Sequence, residues 1–291
     1  MARLLRGKPV VEALAERLAP RIAACRTAGV VPTLALLRVG EDPSDLSYER
    51  TALKRAEALG VAVRPVALGA DATADEVARR LQAVNADDGI HGCLLFRPLP
   101  PGLDDVRLSN LLAPEKDIDG ITAMSLAGVF VAEPHGFPPS TAEACLQLLD
   151  HYGIPVEGRH VTIAGRSLVV GRPVSMMLLE RDATVTLCHS RTAELPRHTR
   201  AADVVICATG KPRFFGPECF RAGQTVLDVG INFDAAGQLC GDVDFEAVEP
   251  LLGGEGAITP VPGGLGTVTT SVTMAHVVQN AERGLHAHQH P

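Results

Sequence analysis

The chain has 291 residues, too many for one typical domain and comfortable for two. Its apolar fraction of 46% and charged fraction of 21% describe a globular chain with a large core, and they exclude disorder as its main state. A net charge of −7, the absence of Trp and 3% aromatics exclude a general nucleic-acid binder and a basic membrane-surface protein.

Residues 8–28 carry apolar positions at helical spacing (Val10, Leu14, Leu18, Ile22), and Gly29 follows as a stop. Thr33 to Val39 is a compact apolar run and is read as a buried strand. Asp42-Pro43-Ser44 opens a helix that reaches about Leu59 and closes at Gly60. Val61 to Leu68 is a second strand. Thr73 caps a helix to about Val84, with Glu76 in the capping-box position. Ile90 to Phe96 is a third strand, followed by the Pro98-Leu99-Pro100-Pro101 loop. Alternating strands and helices imply a parallel sheet. Residues 113–140, with several Pro and Gly, break this rhythm and mark a domain junction. Thr141 to Tyr152 reads as a linking helix. A second α/β series has strands at 160–164, 184–188, 203–207 and 225–229 and a helix at 171–181, with Pro173 in its first turn. A Gly/Pro-dense loop spans 253–266, and a final helix runs from about Thr267 to about Gly284. The tail histidines His286, His288 and His290 alternate, which would suit a metal but is the ordinary composition of a solvated end; no metal site is expected.

The seven cysteines form no C-x-x-C and mostly sit in apolar runs, so they read as small buried hydrophobes in a reducing compartment. Charged residues interrupt the first stretch, and no apolar run approaches the ~20 residues that span a bilayer. A cytoplasmic protein is expected, with a small-molecule substrate and neither nucleic acid nor membrane as partner.

Strand 160–164 is followed directly by Gly165-Arg166-Ser167 and then Val170-Gly171-Arg172-Pro173. A Gly after a strand permits close backbone approach to a phosphate, and the next helix offers unpaired N–H groups. The loop departs from G-x-G-x-x-G, so alone it is equally an ordinary strand–turn–helix. The following strand ends in His189-Ser190-Arg191-Thr192. Plain NAD sites often place an acid there; a hydroxyl and a guanidinium suit a 2′-phosphate and favour NADP. Later strand ends add Thr209-Gly210 and Gly230-Ile231, and ligands of open parallel sheets collect at such ends.

These residues, with Val39-Gly40, Ser44 to Tyr48, Arg97-Pro98-Leu99-Pro100, Lys116-Asp117-Ile118-Asp119-Gly120, Asp228-Val229-Gly230-Ile231-Asn232 and Thr259 to Gly266, resemble the methylenetetrahydrofolate dehydrogenase/methenyltetrahydrofolate cyclohydrolase family from about residue 2 to residue 283. The resemblance implies an α/β fold of two domains. A folate-binding catalytic domain, 1–139 completed by 267–291, stands beside a Rossmann-like NADP-binding domain, 140–266. It implies oxidation of 5,10-methylenetetrahydrofolate to the methenyl compound, hydrolysis of that to 10-formyltetrahydrofolate, and a cytosolic homodimer. Carried over by position, Tyr48 packs against the folate ring and Asp119 accepts hydrogen bonds from the pterin. Pro98, Leu99, Pro262, Gly263 and Gly264 approach the substrate, and Gly165, Arg166, Ser167, Ser190 and Ile231 contact NADP. Arg191, Thr209, Gly210 and Gly230 join them from the strand ends.

The chain departs from the family at two positions that matter for water chemistry. A Lys usually stands four residues after the Tyr; here it is Ala52. Lys54, at i+6, lies ~120° around the helix from Tyr48, whereas i+4 lies ~40° away. A Gln usually stands two residues before the Pro of Pro-Leu-Pro; here it is Phe96. Ser140-Thr141-Ala142 replaces the frequent Cys-Thr-Pro, and Thr267-Val268-Thr269 replaces Pro-Met-Thr. The chain is thus expected to fall in a subgroup lacking the usual catalytic Lys and Gln, with a working dehydrogenase and weak or absent hydrolysis. Were hydrolysis retained, Lys54 or Asp119 would have to activate the water. Two alternatives stay open on sequence: a shikimate dehydrogenase-like NADP oxidoreductase and a non-catalytic cofactor-binding homologue.

Overall fold

A run apolar at nearly every position suits a strand covered on both faces, and Thr33–Val39 is the central strand of a three-stranded parallel sheet. It pairs with Ala62–Leu68 on one side and Gly92–Leu95 on the other. Leu34 and Leu36 join one core cluster with Leu18 and Ile22 of the helix Gly7–Thr27 and with Met274, Val277 and Val278 of the helix Gly266–Gln289. Ala35, Leu37 and Val39 join another with Val77, Leu81 and Val84 of the helix Ala74–Ala86. Each fully buried leucine here contributes about 1.5–3 kcal/mol. The computed structural model describes residues 1–133 and 135–289, with side chains through Leu285.

Local signals hold where they were read. Thr73 N–H donates to Glu76 Oε2 at 2.7 Å, and Glu76 N–H donates to Thr73 Oγ1 at 3.3 Å, the two halves of a capping box. Gly60 ends the helix Pro43–Leu59 with φ 76°.

The second sheet is parallel throughout, in the order Arg3–Leu4, Ala257–Ile258, Thr225–Asp228, Val204–Cys207, His160–Ala164, Thr184–Cys188. Its core includes Val205, Cys207 and Val226 from the strands, with Phe215, Phe220, Val248 and Leu252 packed against them. This is the Rossmann-like half.

The chain divides into two compact units, each discontinuous: Met1–Glu12 with Thr141–Thr269, and Ala13–Ser140 with Thr270 onward. The first twelve residues, assigned by sequence to the N-terminal domain, therefore join the Rossmann-like unit, because Arg3 and Leu4 pair with Ala257 and Ile258. The stretch 113–140 is more ordered than its Pro and Gly content suggests, holding the helix Ala123–Val131 capped by Thr122. Helices Leu195–Ala201 and Phe245–Leu252 were also not anticipated; each carries a proline, Pro196 in its first turn and Pro250 inside.

Among the described residues no helix is long and apolar enough to cross a membrane, and no group of three or more His, Cys, Asp or Glu is arranged to hold a metal. The side chains of His286, His288 and His290 lie outside the described residues. All seven cysteines are buried and unbridged.

Candidate functional site

In the Rossmann-like unit, the strand His160–Ala164 runs into Gly165, with φ +134°. A Cβ there would lie 2.1 Å from Ala208 O, and a Cβ on Gly171 would lie 1.9 Å from Gly165 O. Only glycine permits so tight a turn into the helix Gly171–Leu179. Val170 gives that helix no side-chain cap, which leaves its N-terminus suited to an anion.

Beside this turn is a cleft of about 520 Å³, lined by Gly165, Arg166, Ser167, Ser190 and Thr209. All five were expected from the sequence. Lys211, Phe214 and His189 also line it and were not assigned beforehand. The Lys211 ammonium stands 4.9 Å from the Phe214 ring centroid. The scarcity of lysine, four residues in the chain, was the signal that could have singled out Lys211. His189 Nδ1 accepts the Arg191 N–H at 3.1 Å, which puts the proton of the neutral ring on Nε2. No carboxylate is among the residues that line the cleft, and its cations and hydroxyls fit the phosphates of a dinucleotide.

The remaining expected cofactor residues, Arg191, Gly210, Gly230 and Ile231, are not among those that line the cleft. Arg191 is exposed beside Ser190, and Ile231 is 63% exposed just beyond the strand Thr225–Asp228. Gly210 and Gly230 are held from below by two buried carboxylates. Asp242 accepts the backbone N–H groups of Thr209, Gly210 and Lys211, the Thr209 hydroxyl and the Asn232 amide. Asp228 accepts from Gly230, Asp242 and Val243 N–H at 2.9–3.0 Å. Burial pushes the Asp228 carboxyl up to about 7, with the charge of Asp242 adding to the push and the backbone donors opposing it. The Pro262-Gly263-Gly264 turn belongs to this unit; Pro262 is exposed, and Gly263 O accepts the Gly7 N–H at 2.8 Å.

In the other unit, the helix Pro43–Leu59 starts at Asp42, whose carboxylate accepts the Ser44 N–H at 2.8 Å. It presents Tyr48, half-buried, with its ring edge-on to Phe96 at 6.0 Å and 81°. Ala52 is fully buried in the same cluster as Phe96. Lys54 is exposed, and the helix turns it away from the Ala52 position. The Thr270 and Thr273 hydroxyls ease ionisation of the Tyr48 phenol. Burial pushes that phenol up to about 12, and the Asp119 charge adds to the shift.

Of the acidic motif 116–120, the first two charged members are structural. Lys116 Nζ donates to Val84 O, Asn85 O and Asp87 O at 2.7–2.9 Å. Asp117 accepts Ile121 N–H, Thr122 N–H and the Ser125 hydroxyl. Asp119 alone of the three is incompletely buried. Burial raises its carboxyl to about 6, with Asp117 adding and Ser140, His276 and Arg97 opposing. Pro98 is exposed. Leu99 is 7% exposed and packs in the core, so the loop offers backbone rather than that side chain. Thr270, Thr273, Ser140 and His276 escaped the sequence reading, because nothing local shows which way a helix residue faces.

Two α/β units, one with a phosphate-suited cleft at the carboxyl ends of parallel strands, are the build of a two-domain nucleotide-dependent dehydrogenase. Residues 5–119 match the family described as tetrahydrofolate dehydrogenase/cyclohydrolase, catalytic domain, and residues 139–285 match its NAD(P)-binding domain. The chain belongs to the tetrahydrofolate dehydrogenase/cyclohydrolase family. It is 42% identical over 284 residues to the bifunctional protein FolD of Carboxydothermus hydrogenoformans, covering 97% of this chain and 98% of that one. The crystal structure of bifunctional FolD from Campylobacter jejuni superposes with a TM-score of 0.93 at 32% identity, over 97% and 99% of the two chains. That of Trypanosoma brucei, complexed with NADP and an inhibitor, gives 0.90 at 30% identity over 98% of each chain. Shikimate dehydrogenase of Aquifex aeolicus, at 12% identity and a TM-score of 0.51 over 89% and 98% of the chains, shares the fold alone.

Proposed function

We propose that this protein oxidises 5,10-methylenetetrahydrofolate to 5,10-methenyltetrahydrofolate with NADP+, as a cytoplasmic homodimer, and that its hydrolysis of the product is weak or absent. Asp119 accepts hydrogen bonds from the pterin amino group and ring N–H. Tyr48 packs against the ring system, with the backbone around Pro98, Leu99 and Pro262-Gly263-Gly264 completing the substrate contacts. Arg166, Ser190 and Arg191 take the 2′-phosphate; Gly165, Ser167, Thr209, Gly210, Gly230 and Ile231 take the rest of the nucleotide. NADP+, when bound, supplies the hydride acceptor.

The two steps of the family make different demands. Hydride loss leaves a cation stabilised by its own flanking nitrogens, so the protein chiefly has to orient the substrate. Hydrolysis needs an activated water, typically worth ~10²–10⁴-fold. The observation that carries the distinction is the apolar pair beside Tyr48. Ala52 and Phe96 are both buried, and neither can hold or move a proton. Lys54 is exposed on another face and a poor substitute. The cleft with Arg166 and Ser190 argues against a protein without cofactor chemistry.

One assay tests this reading: purified protein, methylenetetrahydrofolate and NADP+, with NADPH formation and methenyl absorbance followed together against a no-enzyme control. NADPH should rise while the methenyl product accumulates and decays no faster than in the control. Faster removal of the methenyl species would return the water-activating role to Asp119 or Lys54. No NADPH at all would refute the dehydrogenase.

A further inference from the structure

Three hydroxyls that line the nucleotide cleft have their polarity set by partners they already hold. Ser167 Oγ accepts the Val170 N–H at 3.1 Å, and Thr192 Oγ1 accepts the His189 N–H at 2.8 Å. Both accept from backbone, so both keep their own proton to give to a ligand. With Arg166, Lys211 and the Nε2 proton of His189 they make the cleft rich in donors. Thr209 differs. Its Oγ1 donates to the Asp242 carboxylate at 2.9 Å, so what it has left for a ligand is a lone pair. The same carboxylate accepts the N–H groups of Thr209, Gly210 and Lys211, the last two at 3.1 and 3.0 Å, which withholds them from a phosphate. Asp242 is fully buried and does not line the cleft. Its place opposite this turn is fixed by backbone. Arg213 N–H donates to Gly241 O at 3.0 Å, Phe215 N–H donates to Asp242 O at 2.9 Å, and the Asp242 N–H donates to Asp228 at 2.9 Å.

We propose that Asp242 is a positioning residue for the dinucleotide: it occupies the donors of the 209–211 turn and so leaves Thr209 to accept an N–H or O–H from the adenosine half of the cofactor. The proposal rests on the NADP reading of the cleft and adds the direction of one bond to it. In that reading Ser190 takes the 2′-phosphate. Ser190 and Thr209 line one cleft, whereas Gly230 and Ile231 are not among its lining, so the half that carries the 2′-phosphate is the half beside Thr209. With its 2′ position phosphorylated, that half keeps two kinds of donor, the adenine amino group and the ribose 3′-hydroxyl. Ionised phosphate oxygens only accept, and they go to Arg166, Ser167 and Lys211. Five hydrogen bonds satisfy the Asp242 carboxylate, which lets a buried negative charge stand behind a site for an anion.

The test is calorimetric binding to the full-length wild type, T209V, T209S and D242N, each well below its own melting temperature. The probes are NADP+, its hypoxanthine analogue, which lacks the adenine amino group, and adenosine 2′,5′-bisphosphate. In T209V, Kd for NADP+ and for the bisphosphate should both rise about fivefold or more, the equivalent of one lost hydrogen bond. T209S keeps the oxygen and should stay within about twofold of wild type. The hypoxanthine analogue identifies the donor. If it is the adenine amino group, wild type loses affinity for the analogue and T209V loses none further. If it is the 3′-hydroxyl, T209V weakens both dinucleotides alike. D242N has an amide that serves only one of the two sets of donors, so its Kd for the bisphosphate should rise at least about threefold. If D242N does not fold, D242E, which keeps the charge but cannot hold all five donors, is read in its place. Wild-type affinity in T209V, no rescue by T209S, a loss confined to NADP+ and absent with the bisphosphate, or wild-type affinity in the Asp242 variant would overturn the proposal. A wild type that binds neither NADP+ nor the bisphosphate would overturn the NADP reading itself, before any variant is compared.

Discussion

Asp119 receives a pair of N–H donors best as a carboxylate, because protonation turns one of its oxygens into a donor. Burial, aided by Asp117, holds it near about 6, well above the ordinary 3.8. Catalytic efficiency should therefore fall as pH drops through about 6 and level off above it, which a pH profile of kcat/KM reads directly. The same shift bears on stability with the opposite sense. A carboxyl whose folded pKa is raised binds its proton more tightly in the folded state. Its cost is absent below the unfolded value near 3.8 and fully present above about 6. Replacing Asp119 with Asn removes that cost. The variant should be more stable than wild type at about pH 8, by ~1–2 kcal/mol, and the gap should close near pH 4. Its KM for the folate substrate should rise by at least ~10-fold. Denaturant titrations at the two pH values and substrate kinetics check both halves. An Asn variant that is less stable at high pH would show that the carboxylate is welcome there. Tyr48 and Asp119 were legible in the sequence because they sit in motifs. Thr273 and Ser140 were not, since two hydroxyls 133 residues apart meet only once the last helix is packed.

The helix Ala74–Ala86 is closed at its end by a residue thirty positions downstream. Lys116 brings an ammonium to Val84 O, Asn85 O and Asp87 O, where the helix dipole is negative and carbonyls lack intrahelical partners. K116M keeps the stem but takes the ammonium from all three; Val84 O keeps the Asp87 N–H and Asp87 O the Ile90 N–H, so stability should fall by ~1–2 kcal/mol with little change in NADP+ affinity. Urea denaturation and cofactor titration would measure the two. The start of the same helix was readable, because Thr73 and Glu76 satisfy each other within one turn. Its closure was not, because Lys116 sits in a motif whose other members suggest ligand binding. The same contrast separates the strand Thr33–Val39, whose composition declares it, from Arg3–Leu4. The latter is a strand only because Ala257 and Ile258 lie alongside.

At the scale of the whole chain, each compact unit is assembled from two separated stretches. The unit with Tyr48 and Asp119 takes its last helix from beyond Thr270, and that helix places Met274, Val277 and Val278 in the cluster of Leu34 and Leu36. A fragment ending at Ser140 would expose that face. It should be molten, binding hydrophobic dye and digested rapidly by protease, while the full chain resists both. A cooperative, protected fragment would show that the last helix is dispensable to the fold.

Ala52 and Phe96 occupy one packed cluster, and this shared packing couples what either position can accept. A lysine restored at 52 alone would drive an ammonium toward the Phe96 ring and its leucine neighbours. A glutamine restored at 96 alone would leave an amide among alanines and leucines with nothing to bond. Each single substitution should lower stability, and the A52K/F96Q pair should cost less than the sum of the two, since neighbours in one cluster do not act independently. On the proposed reading, recovering hydrolysis takes both substitutions at once, because the two apolar side chains pack as one unit.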